Sequence, residues 1–391
     1  MYKLIVFLLI FPLASYSQAY KKLHDKAIVI DTHNDVLSTV TMKGLNIDND
    51  LSGKTYSDIA RFTKGGVDIQ IFSIFCDERF GKDTAFKYAN IEIDSLYSIV
   101  NRNRDKMMIV TNPRQLKEAV KSKRLGCMMG VEGGHMIEDD LSKLEALYNR
   151  GVRYMTLTWN NSTSWASSAK DESLLQDGSK QKGLTDFGRQ VVQKMNQLGM
   201  LVDLSHVGEQ TFWDAIKTTT KPIIVSHSCV YNLCPVFRNL KDDQIKAIGK
   251  NGGVIHLNFY SGFLDSNYAG KKNNFIHKHQ SEVDSLKKAG LPSYEIEEWL
   301  SKKYSAEADA LRPPLSLLID HIDYIVKLIG IDYVGLGSDF DGIESAPQQL
   351  NDVTCYPLIT KALMEKGYSN KDIKKILGGN FIRVFKAASN K

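Results

Sequence analysis

Ile28-Val29-Ile30-Asp31-Thr32-His33-Asn34-Asp35 reads as a buried β-strand that delivers a His-x-Asp pair at its downstream end. Side chains of an extended strand repeat with period two, so His33 and Asp35 leave the backbone on one face. An imidazole and a carboxylate placed together are suited to holding a metal ion. Four later apolar runs end in the same way. Cys127 to Val131 precedes Glu132, Leu201 to Leu204 precedes His206, Ile223 to Val225 precedes His227, and Val334 to Leu336 precedes Asp339.

Working outward from these runs, β-rich segments fall at about 27–32, 67–75, 125–131, 152–158, 201–205, 222–226, 252–258 and 333–338, with helical patterns between most of them. Thr185-Asp186 can cap a helix whose apolar positions Phe187, Val191, Val192, Met195 and Leu198 keep helical spacing until Gly199 stops it. Eight strand-then-helix units with ligand-type residues at the strand ends predict an α/β fold, a (β/α)8 TIM-like barrel, because such barrels build their sites at that face from several strands. The rival, a doubly wound sheet, calls for a Gly-rich phosphate loop that the chain lacks. Residues from about 262 to 312 break the rhythm between the seventh and eighth strands. They are polar, with helical stretches such as Gln280 to Lys288 and Tyr294 to Lys303, and are expected to form a helical insertion near the barrel mouth.

The 391 residues are enough for one large domain, expected over 18–391. Fifty basic against 45 acidic residues give a net charge of +5, spread along the chain without a basic patch, which offers no argument for nucleic acid. Lys3, the apolar run Leu4 to Leu13 and the small residues around Ala14 to Ser17 read as a cleavable signal peptide over 1–17. That run is shorter than the roughly 20 residues needed to span a bilayer, so no stable membrane anchor is expected. The expected location is secreted or periplasmic. The five cysteines are odd in number and include no Cys-x-x-Cys pair; Cys127, inside an apolar run, reads as a buried core thiol.

His33, Asp35, Glu132, His206 and His227 are too many ligands for one catalytic zinc with an open position, so two metals fit better. Glu132 lies among glycines in Gly130-Val131-Glu132-Gly133-Gly134, where a carboxylate can bridge two ions with its two oxygens. Asp339 is the candidate for general acid–base work at the final strand end; Asp341, beside Gly342, reads as turn chemistry. His135 is at most a partner of the ligands, His256 a buried strand residue, and His277 and His279 are expected in solvent. Ser226 and Ser228 flank His227 without the nucleophile-elbow pattern of a serine hydrolase.

From about Ile28 to Phe385 the chain resembles the membrane (renal-type) dipeptidases, zinc metallopeptidases with an amidohydrolase-like barrel. The resemblance rests on Asp31-Thr32-His33-Asn34-Asp35, Gly130-Val131-Glu132-Gly133-Gly134-His135, Asp203-Leu204-Ser205-His206, Ser226-His227-Ser228, Arg238-Asn239 and Gly337-Ser338-Asp339-Phe340-Asp341-Gly342. It implies two Zn2+ per chain, one on His33 and Asp35, the other on His206 and His227, with Glu132 bridging. It also implies that Arg238 binds the carboxylate of a small dipeptide substrate, that Asp339 lies beside the scissile bond and the free amine, and that the chain forms a homodimer. A guanidinium fork suits the carboxylate role because it can bond both oxygens. The implied reaction is hydrolysis of a dipeptide by a hydroxide that two zinc ions activate. The alternatives are another metal-barrel amidohydrolase, such as a lactonase, a deaminase or a cyclic amide hydrolase, and a metal-retaining binding protein of reduced activity.

Two departures from the family pattern stand out. Where better-known members carry a histidine thought to contact the developing oxyanion, this chain has Trp159, followed by Asn160. An indole N–H donates one hydrogen bond but holds no charge, and loss of an oxyanion donor lowers turnover by roughly 10²–10³-fold. Trp159 or Asn160 is therefore expected to contact substrate in its place, or rate and preference differ. Cys76 and Cys234 lie near family disulfide positions but lack the usual partners, so no disulfide framework of that type is expected.

Overall fold

The computed structural model describes residues 13–174, 183–291 and 293–389. Nine strands run parallel: β1 (Ile30–Asn34), β2 (Ile69–Ile74), β3 (Met107–Ile109), β4 (Leu125–Glu132), β5 (Val152–Thr156), β6 (Leu201–Asp203), β7 (Ile224–Ser228), β8 (Val254–Leu257) and β9 (Val334–Leu336). Their order is β2-β1-β9-β8-β7-β6-β5-β4, and β4 pairs back with β2, closing eight strands into a barrel surrounded by helices. This is the (β/α)8 architecture expected from the strand-end pattern. The additional strand, β3, was not expected from the sequence; among the described residues it pairs with the start of β4, outside the closed ring.

Alternation along the strands separates two apolar layers. Ile30, Ile69, Ile71, Met128, Tyr154, Leu201, Ile224 and Val254 pack into one cluster inside the barrel, with Phe381 and Phe385 of the C-terminal helix Asn380–Ala388. Phe72, Ile74, Met129, Val131 and Val225 point the other way, into the layer beneath the surrounding helices. Both layers are dry, which is the principal source of stability in such a fold.

The expected helix between the fourth and fifth predicted strands is present as Asp186–Leu198, with the Thr185 side chain accepting from the Gly188 N–H and Gly199 closing it at φ 79°. Between β8 and the helix Leu315–Ile329 that leads to β9 lie the helices Ser261–Leu264, Tyr268–Lys278, Gln280–Lys288, Ser293–Lys303 and Ser305–Leu311. They carry a small apolar cluster of their own, centred on Phe275, Val283, Ile296 and Leu300. His277 is exposed as expected, but His279 is buried, stacked on Tyr304 with ring centroids 3.7 Å apart.

Residues 1–12 of the expected signal segment lie outside the described residues. A helix spans Leu13–His24, across the expected cleavage point, and His24 is buried between Thr360 Oγ1 (2.8 Å) and the Gly65 carbonyl (2.9 Å). Among the described residues no helix is long and apolar enough to cross a membrane. All five cysteines are buried and unpaired.

Candidate metal and substrate site

Ile30 and Thr32 face the barrel interior; the Thr32 hydroxyl donates across it to the Ser226 carbonyl at 2.7 Å. Strict alternation would then turn His33 outward. The pairing register slips between Asp31 and Asn34, and again in β7 between Val225 and Ser228. Such slips re-aim side chains at barrel rims. Through them His33 and His227 both reach the interior, their ring centroids 3.9 Å apart. His206 arrives from a loop residue at φ 63° and Asp339 from one at φ 62°, a left-handed backbone that non-glycine residues adopt at a cost and that clusters at functional sites.

These side chains converge on Glu132. His33 Nε2 lies 3.5 Å from Glu132 Oε2, 3.6 Å from Asp35 Oδ2 and 3.9 Å from Asp339 Oδ1. On the other carboxylate oxygen, Glu132 Oε1 lies 2.9 Å from His206 Nε2 and 3.5 Å from His227 Nε2. All five sequence-predicted ligands are thus in one place, with Asp339 beside them. Gly342 shapes the acidic side: a Cβ there would come within 2.3 Å of Asp35 Oδ2 and 2.7 Å of Asp339 Oδ1.

What each histidine offers the centre follows from its outer partner. Tyr154 Oη donates to the Thr32 carbonyl at 3.1 Å, so at 2.7 Å from His33 Nδ1 it is the acceptor and Nδ1 carries the proton. Ser226 Oγ donates to Asp203 Oδ2 at 2.6 Å and accepts from His227 Nδ1 at 2.8 Å. Asn160 Oδ1 accepts from His206 Nδ1 at 3.2 Å. Each ring thus has an outer acceptor beside Nδ1 and turns Nε2 toward Glu132, with His206 Nε2 and His227 Nε2 2.9 Å apart, the arrangement in which Nε2 can ligate a bound metal while the outer acceptor holds the Nδ1 proton. Tyr154 reaches His33 because β4 has Gly130 opposite it; a Cβ there would fall 2.0 Å from the tyrosine ring.

The charges point the same way. Burial opposes charge on His33, yet Glu132, Asp35 and Asp339 outweigh it and raise its pKa to about 10, so without a metal His33 is itself the cation of the cluster, and a bound ion would take the place of the proton on Nε2. Burial likewise opposes ionisation of Glu132, but the charge of His33 and the adjacent His206 and His227 imidazoles hold its carboxyl well below the ordinary range. Burial pushes His206 down to about 4 and His227 well below its usual value, so both are neutral ligands. Three carboxylates crowd one buried imidazole, a donor set that suits a cation. His33 Nε2 and Asp35 Oδ1 are buried without a hydrogen-bond partner, as donors reserved for a metal would be. Two sets of residues can each surround an ion, His33 with Glu132 and His227, and His33 with Asp35 and Asp339.

Family models, curated relatives and solved structures agree on what this chain is similar to. The model of the membrane dipeptidase family, peptidase family M19, matches residues 17–391. The chain belongs to that family. An uncharacterized dipeptidase of Schizosaccharomyces pombe is 31% identical over 388 residues, covering 94% of this chain and 82% of the yeast protein. Human dipeptidase 3 is 29% identical over 363 residues, 92% of this chain, which spans just under two thirds (64%) of the human protein. Among solved structures, a metallopeptidase from Rhodobacter sphaeroides liganded with a phosphinate mimic of the dipeptide L-Ala-D-Ala has a TM-score of 0.74 at 22% identity, covering 93% of this chain and 99% of that one. The assignment to a hydrolytic metallopeptidase family and its barrel therefore stands.

In this family member Arg238 is buried; it donates to Ser228 Oγ at 3.1 Å and to the His227 carbonyl at 3.3 Å, and lies over the Phe263 ring. Those two bonds use two of its five N–H donors. It borders a cavity of about 270 Å³ shared with His206, Ser228, Tyr231 and Phe237. Asn160 stands beside His206, its Oδ1 3.2 Å from Nδ1. Trp159 packs edge-on against Phe75, centroids 4.9 Å apart. His135 bonds the Cys76 carbonyl at 2.9 Å rather than a ligand. His256 is buried in β8 with Nδ1 on the Val225 carbonyl and Nε2 unpartnered. Asp341 accepts from the Tyr56 N–H, in keeping with a turn role. The sequence reading passed over Tyr154, Asp203 and Asn258. Asn258 closes the apolar run of β8 and could have been found by the strand-end rule that found the others.

Proposed function

We propose that this chain is an exported metallo-dipeptidase that holds two zinc ions, one on His33 and Asp35 and one on His206 and His227, with Glu132 shared. The observation that carries this is the convergence of three imidazoles, whose Nε2 atoms face the two oxygens of one carboxylate while an outer acceptor stands beside each Nδ1. Zinc bound there supplies Lewis acidity for the peptide carbonyl and lowers the pKa of water.

The chain's own residues do the rest. Arg238 takes the terminal carboxylate of the substrate with its unused N–H donors, which limits length to two residues. Asp339 accepts the proton of the attacking water and returns it to the leaving amine nitrogen; a C–O bond forms, the C–N bond breaks and two amino acids leave. Its Oδ1 lies 3.9 Å from His33 Nε2, within reach of the centre, and in the metal-free protein burial, only partly offset by His33, raises its pKa to about 6. The L-Ala-D-Ala mimic on the related solved structure supports including D-residues at the second position of the test panel. Export rests on the Lys3 to Ser17 sequence, and appearance of the mature chain outside the cytoplasm after cleavage near Ser17 tests it.

Zinc analysis of the purified protein, paired with hydrolysis of Xaa-L and Xaa-D dipeptides against lactones and cyclic amides, tests the activity. Two zinc ions per chain and dipeptide turnover are expected. Turnover of lactones or cyclic amides alone would favour the broader amidohydrolase reading, and zinc without any turnover would favour a binding protein. Arg238→Ala is expected to raise KM for dipeptides by about 10–100-fold, as befits a lost charge-assisted pair, with smaller change in kcat.

A further inference from the structure

Asn258 follows β8 directly and is completely buried. Its Oδ1 accepts from the Tyr260 backbone N–H at 2.6 Å, and its Nδ2 donates to Asp339 Oδ2 at 2.8 Å. A backbone N–H can only donate, so the amide has a single orientation, oxygen toward Tyr260 and nitrogen toward Asp339. The Asn258 backbone is fixed as well: its N–H donates to the Ser228 carbonyl and its carbonyl accepts from the Cys229 thiol at 3.2 Å. Tyr260 is anchored in turn, since its hydroxyl donates to Glu344 Oε1 at 2.6 Å, and Lys272 of the insertion joins Glu344 to Glu297.

Asp339 needs this support. Its backbone sits at φ 62°, held by its N–H on the His33 carbonyl at 3.0 Å, and the missing Cβ of Gly342 leaves open space against Oδ1. Without Asn258 the carboxylate could rotate away from the centre or turn either oxygen to it.

We propose that Asn258 is the positioning residue of Asp339. It occupies Oδ2 and so assigns proton transfer to Oδ1, the oxygen that faces His33 Nε2 at 3.9 Å. The inference rests on the role given to Asp339 in the dipeptidase reading and adds to it a division of labour between the two oxygens. Residues that orient a reacting group are worth about 10–100-fold when lost.

The test uses the zinc-loaded enzyme and a dipeptide it cleaves. Asn258→Ala is expected to lower kcat by about 10–100-fold while KM stays within about threefold and zinc content stays at the wild-type value, with a melting temperature lowered by a few degrees because the Tyr260 N–H loses its acceptor. Combined with Asp339→Asn, it should cause no further loss beyond Asp339→Asn alone, because both changes disable one group. A crystal structure of zinc-loaded Asn258→Ala should show the Asp339 carboxylate turned from its present orientation. Unchanged kcat in Asn258→Ala, additive losses in the double variant, or loss of zinc from Asn258→Ala would each overturn the proposal while leaving the role of Asp339 intact. Full activity of Asp339→Asn would instead remove the reading on which it rests.

Discussion

On one side of Glu132, His33 Nε2 stands within 3.9 Å of carboxylate oxygens from Asp35, Glu132 and Asp339; on the other, His206 and His227 share the single oxygen Glu132 Oε1, and His206 lies in the field of the Arg238 guanidinium. The first half is anionic and hard, the second neutral and nitrogen-rich. Carboxylate oxygen and imidazole nitrogen differ in the metals they favour and in the charge they neutralise, so two neighbouring positions built on one shared residue are not equivalent. The acidic half is suited to hold a cation firmly and to manage protons through Asp339. The other half, beside Arg238 and the 270 Å³ cavity, is suited to receive the negatively charged end of a substrate.

The comparison fails most completely where the halves meet. Glu132→Gln removes charge from both at once and is expected to cost roughly 10³-fold or more in kcat, the several kcal/mol of charge stabilisation that bound metal provides, with metal lost from both positions on elemental analysis. The outer partners separate the halves. Tyr154→Phe frees His33 Nδ1, and Ser226→Ala frees His227 Nδ1; each is expected to weaken metal binding about 10–100-fold, but at different positions, which competition with a chelator should resolve as loss of the tighter ion in the first and of the weaker ion in the second.

In the wild-type protein, stepwise chelation should remove one zinc well before the other, with affinities apart by about tenfold or more, since one uncompensated charge at these distances exceeds 1 kcal/mol. Identical affinities would erase the asymmetry.

The smallest effect concerns Glu92, buried behind β2 with its carboxylate on the Phe75 N–H at 2.7 Å. Burial, with Glu132 adding to it, raises its pKa to about 8. The folded protein therefore holds this proton more tightly than the unfolded chain. The stability this contributes is complete below about pH 4.5 and is lost as pH rises through 8. Glu92→Gln, neutral throughout, should flatten that fall, seen as a melting temperature that exceeds the wild type at pH 9 by more than at pH 5.

Much of the site was legible because ligand-type residues close apolar runs, a local pattern. His33, Asp35, Glu132, His206, His227 and Asp339, which the structure brings together, were all picked out by it. Arg238 did not; one arginine among many gained meaning only from the family motif around Arg238-Asn239. Asn160 was legible as a site residue, but its contact with His206 was not, because nothing in its sequence neighbourhood reveals that an acceptor for His206 Nδ1 comes from the loop after β5. His279 was expected in solvent on the polarity of its segment, and the stacking on Tyr304 that buries it depends on how two insertion helices meet.

The sequence by itself determined the barrel, through the period of its strands, and the chemistry of the ligands, through residue type at strand ends. The tertiary structure decided which way those ligands face and which atoms they offer. Register slips at Asp31 to Asn34 and Val225 to Ser228 turned His33 and His227 inward against simple alternation. Tyr154, 121 residues from His33 in sequence, and Asn160, 46 from His206, set the imidazole protons. A strand's periodicity is a property of neighbours along the chain; a tautomer and an aimed carboxylate are properties of partners that only closure of the barrel brings within hydrogen-bonding distance.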